Sequence, residues 1–317
     1  MSVYRSVLAL IVAVVAVSAT VAGQQTPPAS PRLPLAPSAR SGSTVAPAFE
    51  GWFTNPDGTI VLVMGYMNRN QREILDVPVG PNNRIEPGGP DYGQPTHFQT
   101  GRVWANFTIT VPKDFGTKKL TWTLVTNGQT ETVALWASPA YVISPLLAAD
   151  TGNTPPILKF DPAGPEVAGP QRGTPYHMTA VVNEPVPLAI WATDRGVTVK
   201  SPTLPPVPNA APRPSAARRT ASPPIAIEWS IHRRPGTAAV KFASPRPAVS
   251  ADAEAAKLFA TPGAYSGKAT TTVTFSEPGD YVLRAQANDS SPASDGRHQC
   301  CFTNALVKVT VGAAGGR

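Results

Sequence analysis

The familiar catalytic signatures are missing from this chain. It has no Gly-x-Ser-x-Gly elbow, no His-Glu-x-x-His, no phosphate-binding loop and no dinucleotide fingerprint. A non-enzymatic role is therefore expected, although a carboxylate pair for hydrolysis can be assembled on any fold. Histidine is scarce, with four residues at 97, 177, 232 and 298. Cysteine is scarcer still: Cys300 and Cys301 are the only two and they are adjacent. His298 with one thiol supplies two ligands, short of the three or four that zinc requires. No apolar run beyond the first residues is long enough to span a bilayer. Basic residues do not interleave with aromatics, and Arg32, Arg40, Arg172, Arg213, Arg218 and Arg219 of the +7 net charge fall in linkers. That distribution reads as solvated linker charge rather than a nucleic-acid surface.

What is present begins with an export signal. Arg5 precedes an unbroken apolar run over residues 7–17, and small residues Ala19, Ala22 and Gly23 lead into Gln24-Gln25. A charged start, a short apolar core and a small-residue exit predict a secretory signal peptide over 1–23. If the segment is retained it becomes a membrane anchor. Residues 24–48 are rich in Pro, Ala and Ser without apolar period and predict a disordered tether. The expected location is outside the cytoplasm: periplasm, outer surface or medium.

From Phe49 the texture is that of strands. Asn55-Pro56-Asp57-Gly58 joins residues 51–54 to 59–66 as a hairpin, and Ile60 to Met64 is apolar on both faces. Over residues 102–111, Val103, Ala105, Phe107, Ile109 and Val111 alternate with Trp104, Asn106, Thr108 and Thr110. Asn127-Gly128 marks a second hairpin. Residues 78–101 read as one unusually long loop. An antiparallel β domain is expected over 49–163.

A second domain is expected over 164–317. Residues 178–182, 186–193, 225–232, 238–242, 269–275, 281–288 and 304–311 each alternate as short strands, with a short helix over 251–259 and a disordered Pro-rich insert over 201–224. The fold class is thus all-β, with two tandem antiparallel sandwiches. Trp229, Thr272-Val273-Thr274-Phe275, the run from Pro278 to Arg284, Ala287-Asn288-Asp289 and the closing Val307 to Val311 resemble PKD-type and related immunoglobulin-like domains of surface proteins. The family's Trp-Asp-Phe-Gly-Asp-Gly run is replaced by Glu228-Trp229-Ser230-Ile231. The resemblance implies adhesion, spacing or assembly and carries no catalytic residue. The first domain resembles no family.

Three candidate sites follow. Cys300 and Cys301 form a vicinal disulfide in a non-strand loop, or stay as thiols, or pair with another chain. Asp194, Asp289 and Asp295 sit on connections expected at one end of the second sandwich, where they present oxygen ligands for Ca²⁺; no other cofactor is expected. Trp104, Tyr92, His97 and Phe98 of the first domain offer rings for stacking on sugar, or else pack beneath the long loop. The leading expectation is an exported adhesion or assembly protein whose partner is a cell-envelope protein or polysaccharide, without nucleic acid. A carbohydrate-binding protein and a hydrolase are the alternatives.

Overall fold

The computed structural model describes residues 39–148, 152–195, 224–289 and 301–313. The expected signal peptide, residues 201–223 of the Pro-rich insert, Asp295 and Cys300 lie outside these.

The first eight strands are β1 (Val45–Thr54), β2 (Ile60–Asn68), β3 (Leu75–Asp76), β4 (Asn83–Glu86), β5 (His97–Phe98), β6 (Gly101–Val111), β7 (Leu120–Thr126) and β8 (Gln129–Leu135). They form a β1-β2-β6 sheet, a β4-β7-β8 sheet and a short β3-β5 pair. Leu62, Met64, Phe107, Ile109, Trp122 and Leu124 meet in one core between the two three-stranded sheets. The first hairpin closes through Gly58 N–H on the Asn55 carbonyl at 2.9 Å, with Gly58 at φ 86°. The second turns on Asn127 (φ 50°) and Gly128 (φ 72°), where two positive φ values match the right-handed twist of β7 and β8. Every residue from Ile60 to Tyr66 is buried, as its unbroken apolar character requires.

Two boundaries differ from expectation. The tether ends earlier, because Val45 is fully buried and already paired with Asn68. The segment read as one loop contains β4 and β5. Its organiser is Asn83, a buried side chain whose Nδ2 donates to the Val77 and Pro95 carbonyls and whose Oδ1 accepts from Trp122 Nε1 at 3.0 Å. A polar residue that signals a turn in sequence here satisfies three buried backbone or ring groups.

The second sandwich starts inside the range assigned to the first. β9 (Ile157–Lys159) pairs with β11 (Val186–Asp194), and Leu158 enters the second core. The remaining elements are β10 (Tyr176–Val181), β12 (Ile225–Arg233), β13 (Val240–Phe242), β14 (Ser250–Ala251), helix α1 (Ala253–Ala256), β15 (Tyr265–Phe275), β16 (Gly279–Asp289) and β17 (Phe302–Gly312). Sheet orders are β10-β17-β16-β12 and β13-β15-β11-β9, with β10 parallel to β17 and β14 on the flank of β15. Trp229 is buried on β12, and the Tyr281 hydroxyl at the start of β16 donates to the Glu277 carbonyl at 2.7 Å. This strand order, buried tryptophan and tyrosine corner are those of an immunoglobulin-like sandwich. The described chain is all-β apart from α1 and a 3-10 turn at Pro139–Tyr141.

The two sandwiches belong to one compact unit and meet along a seam. Part of it is apolar: Phe53, Val61, Val63 and Ala105 of the first sandwich cluster with Ile143 of the connection and Phe302 of β17. The rest is polar and holds buried ionisable groups, among them Glu50, His232 and Arg284.

Candidate functional site

The seam is built on two irregularities that flank one glycine. Glu50 is an extra residue on β1 between Phe49, opposite Met64, and Gly51, opposite Val63. On the other side of β2, Met64 pairs with Phe107 and Tyr66 with Val103, so Gly65 faces the three residues Trp104, Ala105 and Asn106. A Cβ on Gly65 would collide with Glu50 Oε1, the Val103 carbonyl and an Arg102 guanidinium nitrogen. Glycine thus lets an ion pair lie flat on the strand. Arg102 Nη2 meets Glu50 Oε1 at 2.6 Å, while Ala105 N–H donates to Glu50 Oε2 at 2.7 Å. That second bond holds Ala105 at φ 40°, a conformation alanine rarely adopts.

Burial pushes the Glu50 carboxyl up, and Arg102 together with the Ala105 amide only partly offsets it. Opposite lies Arg284 of β16, 5% exposed. Its Nη2 donates to Gln286 Oε1 at 2.9 Å and, at 3.4 Å, to the Trp104 carbonyl. Burial lowers its pKa, but a guanidinium keeps its proton in a protein. Asn304 Nδ2 donates to the Ala105 carbonyl at 2.9 Å, so the bulge is clasped from β17 as well. Burial also moves the Tyr66 hydroxyl up to about 12; its oxygen accepts from Gln99 N–H at 3.0 Å.

Farther along the seam, the end of β12 grips the long loop. His232 Nε2 donates to the Gly93 carbonyl at 2.9 Å and Thr96 N–H donates to the His232 carbonyl at 3.0 Å. Burial, above all, brings His232 down to about 3, so the ring is neutral near pH 7. Arg233 forms a two-pronged pair with Asp91 at 2.7 and 3.0 Å, and its Nε donates to the Gln94 carbonyl. Arg234 does the same to Asp76, which also meets His97 Nδ1 at 2.8 Å. Burial pushes Asp76 up, but the hydrogen bonds from His97 and Arg234 outweigh it and hold it at about 2. Two adjacent arginines of one sandwich thus fasten two carboxylates of the other with directional, charge-assisted bonds. Each of these carboxylates is committed to a guanidinium, an arrangement that fixes geometry.

The sequence-named aromatics lie close to this seam and differ in burial. Phe98 is fully buried, edge-on to Tyr66 at 5.0 Å, and His97 is 4% exposed. Tyr92 is half-buried, its hydroxyl donating to the Pro87 carbonyl. Trp104 is half-buried with the Arg102 guanidinium 4.0 Å from its ring centre, over one face of the indole. His97 and Phe98 pack inward because the segment carrying them is itself paired with Leu75–Asp76.

Asp194 and Asp289 end β11 and β16 and are buried; Asp289 Oδ2 accepts from Asn153 Nδ2 at 2.7 Å. Among the described residues no three His, Cys, Asp or Glu side chains are grouped to hold a metal ion. Cys301 is buried, is not a free thiol, and its sulfur lies 3.3 Å from the Asn153 carbonyl oxygen. The connection reaching the second sandwich therefore docks where β16 ends and β17 begins.

Another aromatic group was not singled out by sequence reasoning. Phe49, Trp136 and Tyr141 come together with centroids 5.4–6.0 Å apart, and Lys119 Nζ lies 5.0 Å from the Trp136 ring. The available signal was the absence of charge around Trp136 and Tyr141. No protein-family model matches the chain, and no curated protein matches it.

Proposed function

We propose that this is an exported, non-enzymatic protein of the bacterial cell envelope, in which two joined β-sandwiches serve adhesion or assembly. The observation that carries this reading is the seam. Arg233, Arg234, His232, Arg284 and Asn304 of the second sandwich all bind groups of the first. A spacer or assembly module needs a fixed relation between its surfaces, and a joint held by directional bonds supplies it. The resemblance of the second half to domains of surface proteins and the export-type start support the same reading.

The chain from Gln24 onward is expected to be retained by isolated envelope fragments and to be found outside the cytoplasm on fractionation. A monomer that binds no envelope fraction would remove the proposal.

A further inference from the structure

We infer that the connection over residues 138–148 is a docking strip for an anionic lipid surface. It rests on the sequence and the geometry of that segment, and supplies a partner for the envelope reading above.

From Thr132 to Ala149 the chain contains no charged residue, in a protein whose net charge is +7. Within that stretch Val142 is 54% exposed, Leu147 50%, Tyr141 44% and Leu146 39%. Isolated surface leucines are ordinary; four large apolar side chains displayed within seven residues are not. The display is imposed by the fold. Ile143 is buried in the apolar part of the seam, its N–H donates to the Trp52 carbonyl at 2.9 Å, and Trp52 Nε1 donates to the Ser138 carbonyl at 2.6 Å. Gly51 makes room for this, since a Cβ there would lie 2.5 Å from Ile143 Cγ2. With Ile143 and Pro145 turned inward, Val142 and Leu146 are held outward.

The flank of the strip identifies the occupant. Trp136 and Tyr141 stand 5.4 Å apart, Lys119 lies over Trp136, and Lys118 beside it is exposed. Aliphatic side chains bordered by an indole, a phenol and ammonium groups match the boundary between acyl chains and headgroups. The lack of carboxylates in the stretch suits a negatively charged surface. Among the described residues no helix is long and apolar enough to cross a membrane.

The test is vesicle co-sedimentation of the chain from Gln24 onward, which lacks the apolar run over residues 7–17. Vesicles of phosphatidylglycerol with phosphatidylcholine are expected to pull it down, and pure phosphatidylcholine much less. Val142→Asp and Leu147→Asp should each weaken binding roughly tenfold or more, given the burial each leucine-sized side chain loses. Lys119→Glu should weaken it less, and raised salt should weaken the wild type. Near-UV circular dichroism and melting temperature report whether each variant is folded, and Leu147→Gln gives a milder substitution. No binding to anionic vesicles, or equal binding by the folded variants, overturns the inference. So does self-association without vesicles that the same variants abolish, which would make the strip a contact between copies. Retention by envelope fragments with no vesicle binding would overturn the strip and leave the envelope reading standing.

Discussion

On β2 of the first sandwich Val61 and Val63 face away from their own core and are covered by Ile143 and Phe302. On β16 of the second sandwich Arg284 faces away from its core and is covered by the backbone of Trp104. Both surfaces are buried, yet they are buried by different physics. The apolar cluster gains from area removed from water and tolerates small misfits of direction. The polar part gains little net from each hydrogen bond and loses heavily if a partner is removed, because the remaining group stays buried and unsatisfied. The first kind of contact holds the two sandwiches together; the second fixes how they are oriented.

Substitutions on the two sides sharpen this contrast. Glu50→Ala leaves Arg102 with only the Tyr66 and Val103 carbonyls as partners and frees the Ala105 amide at a strained residue. It should lower unfolding free energy by about 3 kcal/mol or more, as for other broken buried pairs. Phe302→Ala should cost about 3 kcal/mol through lost burial and a residual cavity. The difference lies in rescue. A seam held by area alone would predict that Glu50→Leu restores stability, whereas the clasp on Ala105 predicts that Glu50→Gln rescues more than Glu50→Leu. Urea denaturation of the four variants decides between them.

The next effect is on pH dependence. The unfolded chain takes up a proton on His232 near pH 6.5, while the folded chain refuses it until about pH 3. Stability linked to this residue is therefore present above pH 6.5 and is lost as pH falls toward 3, at up to about 1.4 kcal/mol per pH unit. His232→Gln should flatten the wild-type profile by one proton's worth over that window. Asp76 adds a further contribution, present above about pH 3.8 and lost as pH falls toward 2, because its pKa of about 2 lies below the ordinary carboxyl value of 3.8. Parallel profiles for wild type and His232→Gln would show that the ring is not held neutral in the seam.

The smallest effect is expected where an ion pair faces water. Arg246 and Glu228 meet at 3.0 Å with side chains 74% and 42% exposed. Arg246→Ala should change stability by less than about 1 kcal/mol. A loss comparable to that of Glu50→Ala would break the distinction between buried and exposed pairs.

The second sandwich was more legible in the sequence than the first. Residues 281–288 and 304–311 alternate cleanly because their inward faces meet a single core, and each became a strand with the expected face inward; over 225–232 Ile225, Ile227 and Trp229 do the same, but a bulge after Ile231 leaves that residue half-buried and buries His232. In the first sandwich the alternation through residues 102–111 fails at its centre. Asn106 counts as polar and outward in sequence but is 4% exposed, because the irregularity opposite Gly65 shifts the faces. β4 was missed for a related reason: Asn83 looks like a turn residue until Trp122, distant in sequence, arrives to donate to it.

The sequence by itself determined the all-β class, the two hairpins at Asn55–Gly58 and Asn127-Gly128, and the strands of the immunoglobulin-like half. These depend on side-chain period and on φ preferences, which are local properties. Only the tertiary structure decided that Glu50, Arg102, Ala105, Arg284 and Asn304 converge, that His97 and Phe98 turn inward, and that the uncharged connection is pinned with its apolar side chains outward. Those outcomes depend on which polar groups meet across the seam between the two sandwiches. A buried charge is tolerable only where a distant strand brings its partner, and no local pattern encodes that meeting.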